Sequence, residues 1–214
     1  MIGTVAGVTA LGSGLAIVFC LTGGFGPRLD PISHAAVGTV LAQQTLSLLK
    51  PGGQVTVISR DTASFQNPAT DILFAALSKA LKRGGVKIAA IESLQVDPLR
   101  PVSVPSGDFF RLIKTSAKGN VIVSLMGPPT LTDPQLLQLG ETNPAIVAFC
   151  PGPLRDQVDL RSLFSHGLLQ AAVVSKRDVK LTQARPASEQ EAFDRLFLLV
   201  TSGNLNALST SSRP

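Results

Sequence analysis

Three hydrophobic patterns follow one another along the chain. Residues 2–25 form an almost unbroken apolar run, with no charged side chain between Met1 and Pro27. About 20 apolar residues wound as a helix cross a hydrocarbon core, so the run has the length of a membrane anchor. Gly26-Pro27 and Pro31 then break the helix. From Ile32 to Lys50, Val37, Leu41 and Leu48 recur near helical spacing among Gln43, Gln44 and Ser47, and Pro51-Gly52-Gly53 is a strong stop. Three homes suit this amphipathic helix: against the following domain, on the bilayer, or against another subunit.

From Gln54 the pattern changes again and repeats. Short β-branched runs at Val55–Ser59, Val86–Ile91, Val121–Leu125, Ala145–Phe149 and Leu169–Val174 alternate with helical segments. Asn67-Pro68 opens the first of these helices, with Asn as cap and Pro in the first turn. Ile72, Leu73, Ala76, Leu77 and Leu81 line one side of it, and Gly84-Gly85 closes it. Asp108 caps the next, which carries Phe109, Leu112 and Ile113. Asp133-Pro134 opens a short one through Leu139, and Val158–His166 forms another. Ser188 and Glu191 make a capping box for a last helix through Phe193, Leu196, Phe197 and Val200. The strands start 24 to 35 residues apart and are near-continuous apolar runs. Sheets covered by helices on both faces demand that pattern.

The predicted fold is therefore α/β: a three-layer, doubly wound, parallel five-stranded sheet in order 2-1-3-4-5, preceded by an N-terminal transmembrane helix. Residues 1–27 read as the anchor, 28–53 as a membrane-proximal helix and linker, 54–208 as the α/β domain, and 209–214 as a disordered tail. The apolar segment followed by Val55–Ser59, the Pro68 helix, Val86–Ile91 and Val121–Leu125 resembles one lobe of a type I periplasmic substrate-binding protein over residues 54–200. The resemblance implies an extracytoplasmic, ligand-binding domain. Such proteins close two lobes on a ligand, whereas this chain has length for one, so a cleft would need a second copy or a partner.

Composition narrows the chemistry. The 214 residues carry a net charge of +5, 44% are hydrophobic and 15% charged, which suits a folded core. There is no Trp or Tyr, so aromatic platforms for single-stranded nucleic acid are scarce, and the mild charge lacks a DNA binder's dense stripe. Two Cys and two His favour neither a disulfide framework nor a metal centre. No bound cofactor is expected, because the first turn, Arg60 to Asn67, contains no glycine for a dinucleotide or Walker-type phosphate loop.

For the leading segment, a retained anchor is favoured over a cleaved signal, since no basic residue precedes the run. A lipoprotein signal would use Cys20, but Phe19 is bulky where a small residue usually stands. Membrane lipid is thus one expected partner, through residues 2–25; a second copy or an envelope protein is the other. Arg28 taken alone favours a cytoplasmic domain, against the extracytoplasmic reading that the resemblance implies.

In open parallel sheets, ligands bind beyond the carboxyl ends of the strands. The candidate ligand-binding residues there are Arg60, Asp61 and Thr62 after the first strand and Ser124 and Gly127 around the third. Cys150 and Gly152 follow the fourth, and Lys176 and Arg177 the fifth. Arg60, Lys176 and Arg177 could converge on a carboxylate, a phosphate or an acidic surface. Cys150 and Ser124 are the candidates for a hydrolase nucleophile, yet Cys150 lacks a nearby base in sequence and Gly-x-Ser-x-Gly is absent. The proline-rich stretch Val96–Gly107 reads as a lid, a docking arm or a rigid strap. A non-catalytic binding domain is the leading reading; a hydrolase and a structural subunit of an envelope assembly are the alternatives.

Overall fold

The computed structural model describes residues 30–61, 66–95, 103–140, 143–152, 154–177, 179 and 185–208. The predicted anchor at 1–27, the tail at 209–214 and most of the proline-rich stretch lie outside these. Among the described residues no helix is long and apolar enough to cross a membrane.

The chain order is α1 (Pro31–Leu48), β1 (Val55–Arg60), α2 (Pro68–Arg83), β2 (Ile88–Leu94), α3 (Ser106–Thr115) and β3 (Val121–Ser124). It continues with α4 (Asp133–Leu137), β4 (Ala145–Cys150), α5 (Leu154–Gln157), α6 (Leu160–Ser165), β5 (Ala171–Ser175), α7 (Glu189–Leu196) and β6 (Phe197–Thr201), and ends in a 3-10 turn, Ser202–Ala207. The strands form one sheet ordered β2-β1-β3-β4-β5-β6. β1 to β5 are mutually parallel, as the strand–helix spacing predicts.

Two predictions need correction. The sheet has six strands and is mixed, because β6 runs antiparallel to β5, with Ala171 opposite Thr201 and Ser175 opposite Phe197. The last helix stops at Leu196 instead of continuing to Val200. An apolar run such as Phe197-Leu-Leu-Val200 fits a buried helix or a buried strand equally well by periodicity. Here Phe197 and Leu199 face one side of the sheet while Leu198 and Val200 face the other, and β6 covers what would otherwise be the open edge of β5.

The second correction concerns β2, which starts at Ile88, not Val86. The Val86 N–H donates to Leu81 O (3.0 Å) and the Gly85 N–H to Lys82 O (3.1 Å). With Gly85 at φ 77°, this is a Schellman cap of α2, and it consumes the residues that sequence alone gives to the strand. The register against β1 then slips between Val55 and Thr56, leaving Ala89 as a bulge.

Alternating strand residues divide the core in two. Val55, Val57, Val121, Val123, Val147, Phe149 and Val173 meet α1, α2 and α7 on the first face. Ile58, Ile122, Ile146, Ala148, Cys150 and Val174 meet α3, α5 and α6 on the second. Of its three homes, α1 takes the domain: Val37, Leu41 and Ala42 are fully buried in the first core. α1 approaches α2 at Gly38, where a Cβ would stand 2.3 Å from Leu73 O. Only glycine permits so close a backbone contact.

Candidate functional site

Each parallel strand delivers its last residue to one edge of the sheet, and each following helix starts there. At this carboxyl edge α2 begins with Asn67, whose side-chain oxygen accepts from the Thr70 N–H at 3.3 Å, and Pro68 in the first helical position. α1 also begins at this edge, because it runs antiparallel to β1. Between these starts and the ends of β1, β3 and β4 lies a cleft of about 180 Å³.

Its walls are mainly apolar: Leu73, Leu125, Met126 and Phe149. Among the described residues, its polar side chains are His34, Arg60, Asn67 and Thr70, and no carboxylate lines it. His34 packs edge-on to Phe197 at 6.4 Å, and Phe197 in turn lies 5.7 Å from Phe149. The aromatic cluster thus braces the cleft from the side of β6. Such a lining suits a compact ligand with an apolar body and a few hydrogen-bonding groups of neutral or negative character.

The residues predicted from sequence are dispersed along this edge. Arg60 lines the cleft. The Asp61 N–H donates to Leu94 O at 2.8 Å, extending the β1–β2 ladder. Thr62 lies outside the described residues. Gly127 (φ 97°) turns the chain after β3. The Gly152 N–H donates to Ser175 Oγ at 2.9 Å, tying the β4 loop to the end of β5. Lys176 donates through Nζ to Asp194 O, and Arg177 pairs with Asp156 on α5. Of the three basic residues expected to converge, Arg60 is in the cleft; the other two are engaged with α7 and α5.

Ser124 and Cys150 point away from it. Ser124 is fully buried, and its Oγ accepts from the Met126 N–H at 3.3 Å. Cys150 is equally buried in the second core, and burial raises its thiol from 9.0 to about 12. A thiol so desolvated stays protonated at neutral pH and is not a nucleophile. His166, the other histidine among the described residues, caps the end of α6 at the opposite edge, with Nδ1 2.7 Å from Ser162 O.

His34, Asn67 and Thr70 are cleft residues that the sequence reading left out. Asn67 carried a usable signal, since a helix cap after a parallel strand must sit at the carboxyl edge. His34 carried none, because its place depends on where α1 packs.

No protein-family model matches the chain, and no curated protein matches it in sequence. Solved structures do match its fold. The arabinose-binding protein AraP from Geobacillus stearothermophilus superposes with a TM-score of 0.52 at 11% identity, over 81% of this chain and 62% of its own. The sugar-binding protein of a sugar ABC transporter from Bacillus halodurans gives 0.51 at 13% identity, covering 81% and 64%. A putative LacI transcriptional regulator from Bacteroides fragilis gives 0.51 at 10%, covering 81% and 61%. The chain therefore has the architecture of a type I periplasmic binding-protein lobe, as the resemblance implies, and the match spans less than two thirds of each of these proteins.

Proposed function

We propose that this chain is a non-catalytic, membrane-anchored α/β domain that binds a small ligand at the carboxyl-edge cleft. The observation that carries the reading is the cleft itself: apolar walls with Arg60, His34, Asn67 and Thr70 around them, at the edge where open parallel sheets hold ligands. A hydrolase has less support, since both candidate nucleophiles are buried in the second core. A sugar as the ligand is supported by solved structures of this fold, one an arabinose-binding protein and another a sugar-binding protein. A cleft of about 180 Å³ is small beside the several hundred that enclose drug-sized ligands, so a second lobe, from another copy or a partner, completes the enclosure. Residues 1–27 hold the domain at the outer side of the cytoplasmic membrane. Gly127, Gly152 and Asp61 sit in the loops beside the cleft, and Lys176 and Arg177 lie farther along the same edge, held by α7 and α5.

The test is calorimetric titration of the full chain with arabinose and a panel of other monosaccharides, alongside Arg60→Ala. Losing a charged hydrogen bond costs about 1.5–3 kcal/mol, so at least a tenfold weakening is expected. A chain that binds none of the panel, or an Arg60→Ala chain that binds as tightly as the parent, refutes the reading. Membrane fractionation of cells, with mass measurement of the mature N-terminus, checks the anchor.

A further inference from the structure

The opposite edge of the sheet, where the parallel strands begin, has a different chemistry. The turns leading into β1, β2 and β3 carry Lys50, Lys87 and Lys118. The last turns of the helices before β2 and β3 add Lys82, Arg83 and Lys114. All six side chains are exposed. Among the described residues of this edge there is no Asp or Glu, and none of the six forms an ion pair. Three basic residues elsewhere are matched by carboxylates: Arg111 by Glu92, Arg177 by Asp156 and Arg195 by Glu191. Among the described residues, this edge thus brings together six exposed basic side chains with no carboxylate paired to them.

Helix dipoles account for part of the pattern, since Lys82, Arg83 and Lys114 sit in last turns and complement the carbonyl ends. They do not account for Lys50, Lys87 and Lys118, which lie in the turns beyond. Lys50 and Lys87 also flank a broad concavity of about 610 Å³, floored by Gly52, Gly53, Gly84 and Gly85. A Cβ built on Gly52 or Gly85 would meet nothing within 4 Å, so these two glycines face solvent, whereas Gly53 and Gly84 pack against Gly119 O and Leu46.

We propose that this edge is a docking surface for an acidic polypeptide segment of a partner protein, with its carboxylates set between Lys50 and Lys87. A concave, backbone-floored trough flanked by lysines admits an extended chain carrying carboxylates, whereas a bilayer presents a plane that meets the rim and leaves the floor empty. The surface lies at the far end of α1 from the cleft, about 27 Å away at 1.5 Å per residue. It is independent of the ligand reading, and the two can be occupied at once.

The experiment uses the full chain, a dye-labelled oligoglutamate peptide, and vesicles of phosphatidylcholine with and without phosphatidylglycerol. The peptide is expected to bind at low salt and to be released as salt shortens the screening length. Its affinity should fall about tenfold or more in Lys50→Glu/Lys87→Glu and hold in Arg111→Glu/Arg195→Glu, which makes the same change of net charge away from the trough. In the unaltered protein, amide resonances of Gly52 and Gly85 should shift on titration, a readout that needs no variant. Failure of the peptide to bind, retention of binding by the double variant, or glycine resonances that stay fixed would each overturn the proposal. So would binding to phosphatidylglycerol vesicles in place of the peptide.

Discussion

The two faces of the sheet are built from the same alternating strands but do different work. The first, under α1, α2 and α7, opens at its carboxyl end into the cleft; Leu73, Leu125 and Phe149 belong both to that core and to the cleft wall. The second, under α3, α5 and α6, lends Met126 to the cleft wall but keeps Ser124 and Cys150 without access to solvent. Neighbouring residues separate the two outcomes. Leu125 and Phe149 turn toward the cleft, and Ser124 and Cys150, one position away in each strand, turn from it. At the ends of β3 and β4, parity separates Leu125 and Phe149 from Ser124 and Cys150.

The broadest test of the comparison is whether both faces carry the fold. Leu77→Ala in the first core and Phe109→Ala in the second, each fully buried, should each cost about 3–5 kcal/mol by urea titration. A cost below about 1 kcal/mol at either site would mean that one face is dispensable. A finer cut is Gly38→Ala. Its new Cβ must push against Leu73 O, so the α1–α2 seam should spread and stability fall by about 1–3 kcal/mol. Because Leu73 also lines the cleft, the affinity for the proposed ligand should fall with it.

The smallest expected effect concerns the second face. In a Cys20→Ser background, Cys150 should resist an alkylating reagent at neutral pH until urea unfolds the chain. The folded thiol is raised from 9.0 to about 12, so its contribution to stability is complete below pH 9. That contribution is lost as pH climbs from 9 toward 12, because the unfolded chain releases the proton more readily. Rapid labelling of the native protein would show that the second face opens, and would return Cys150 to consideration as a reactive group.

Much of the fold was legible because burial on both faces leaves a simple mark. Val55, Val121 and Ala145 begin the strands that the apolar runs predict, and the order 2-1-3-4-5 stands within the larger sheet. The Asn67-Pro68 start of α2 and the Ser188 cap of α7, whose Oγ accepts from the Glu191 N–H at 3.1 Å, were equally plain. Phe197–Thr201 was misread because its pattern suits two structures, and a partner strand distant in sequence decides between them. The site was less legible still. Sequence marks where strands end, but which side chain turns into a cleft depends on parity and on a helix, α1, whose docking no local signal fixes.

The bulge at Ala89 bears on how the protein behaves in concentrated solution. β2 is one edge strand of the sheet; Ala89, Ala90 and Ile91 on it are exposed, and Ile91 retains 52% of its accessible surface. A straight rim of that composition would invite strands from other molecules to zip onto it. The extra residue kinks the rim and spoils the spacing such zipping requires. Deleting one alanine to regularise the strand would strengthen the ladder within the molecule, yet leave a chain prone to clump.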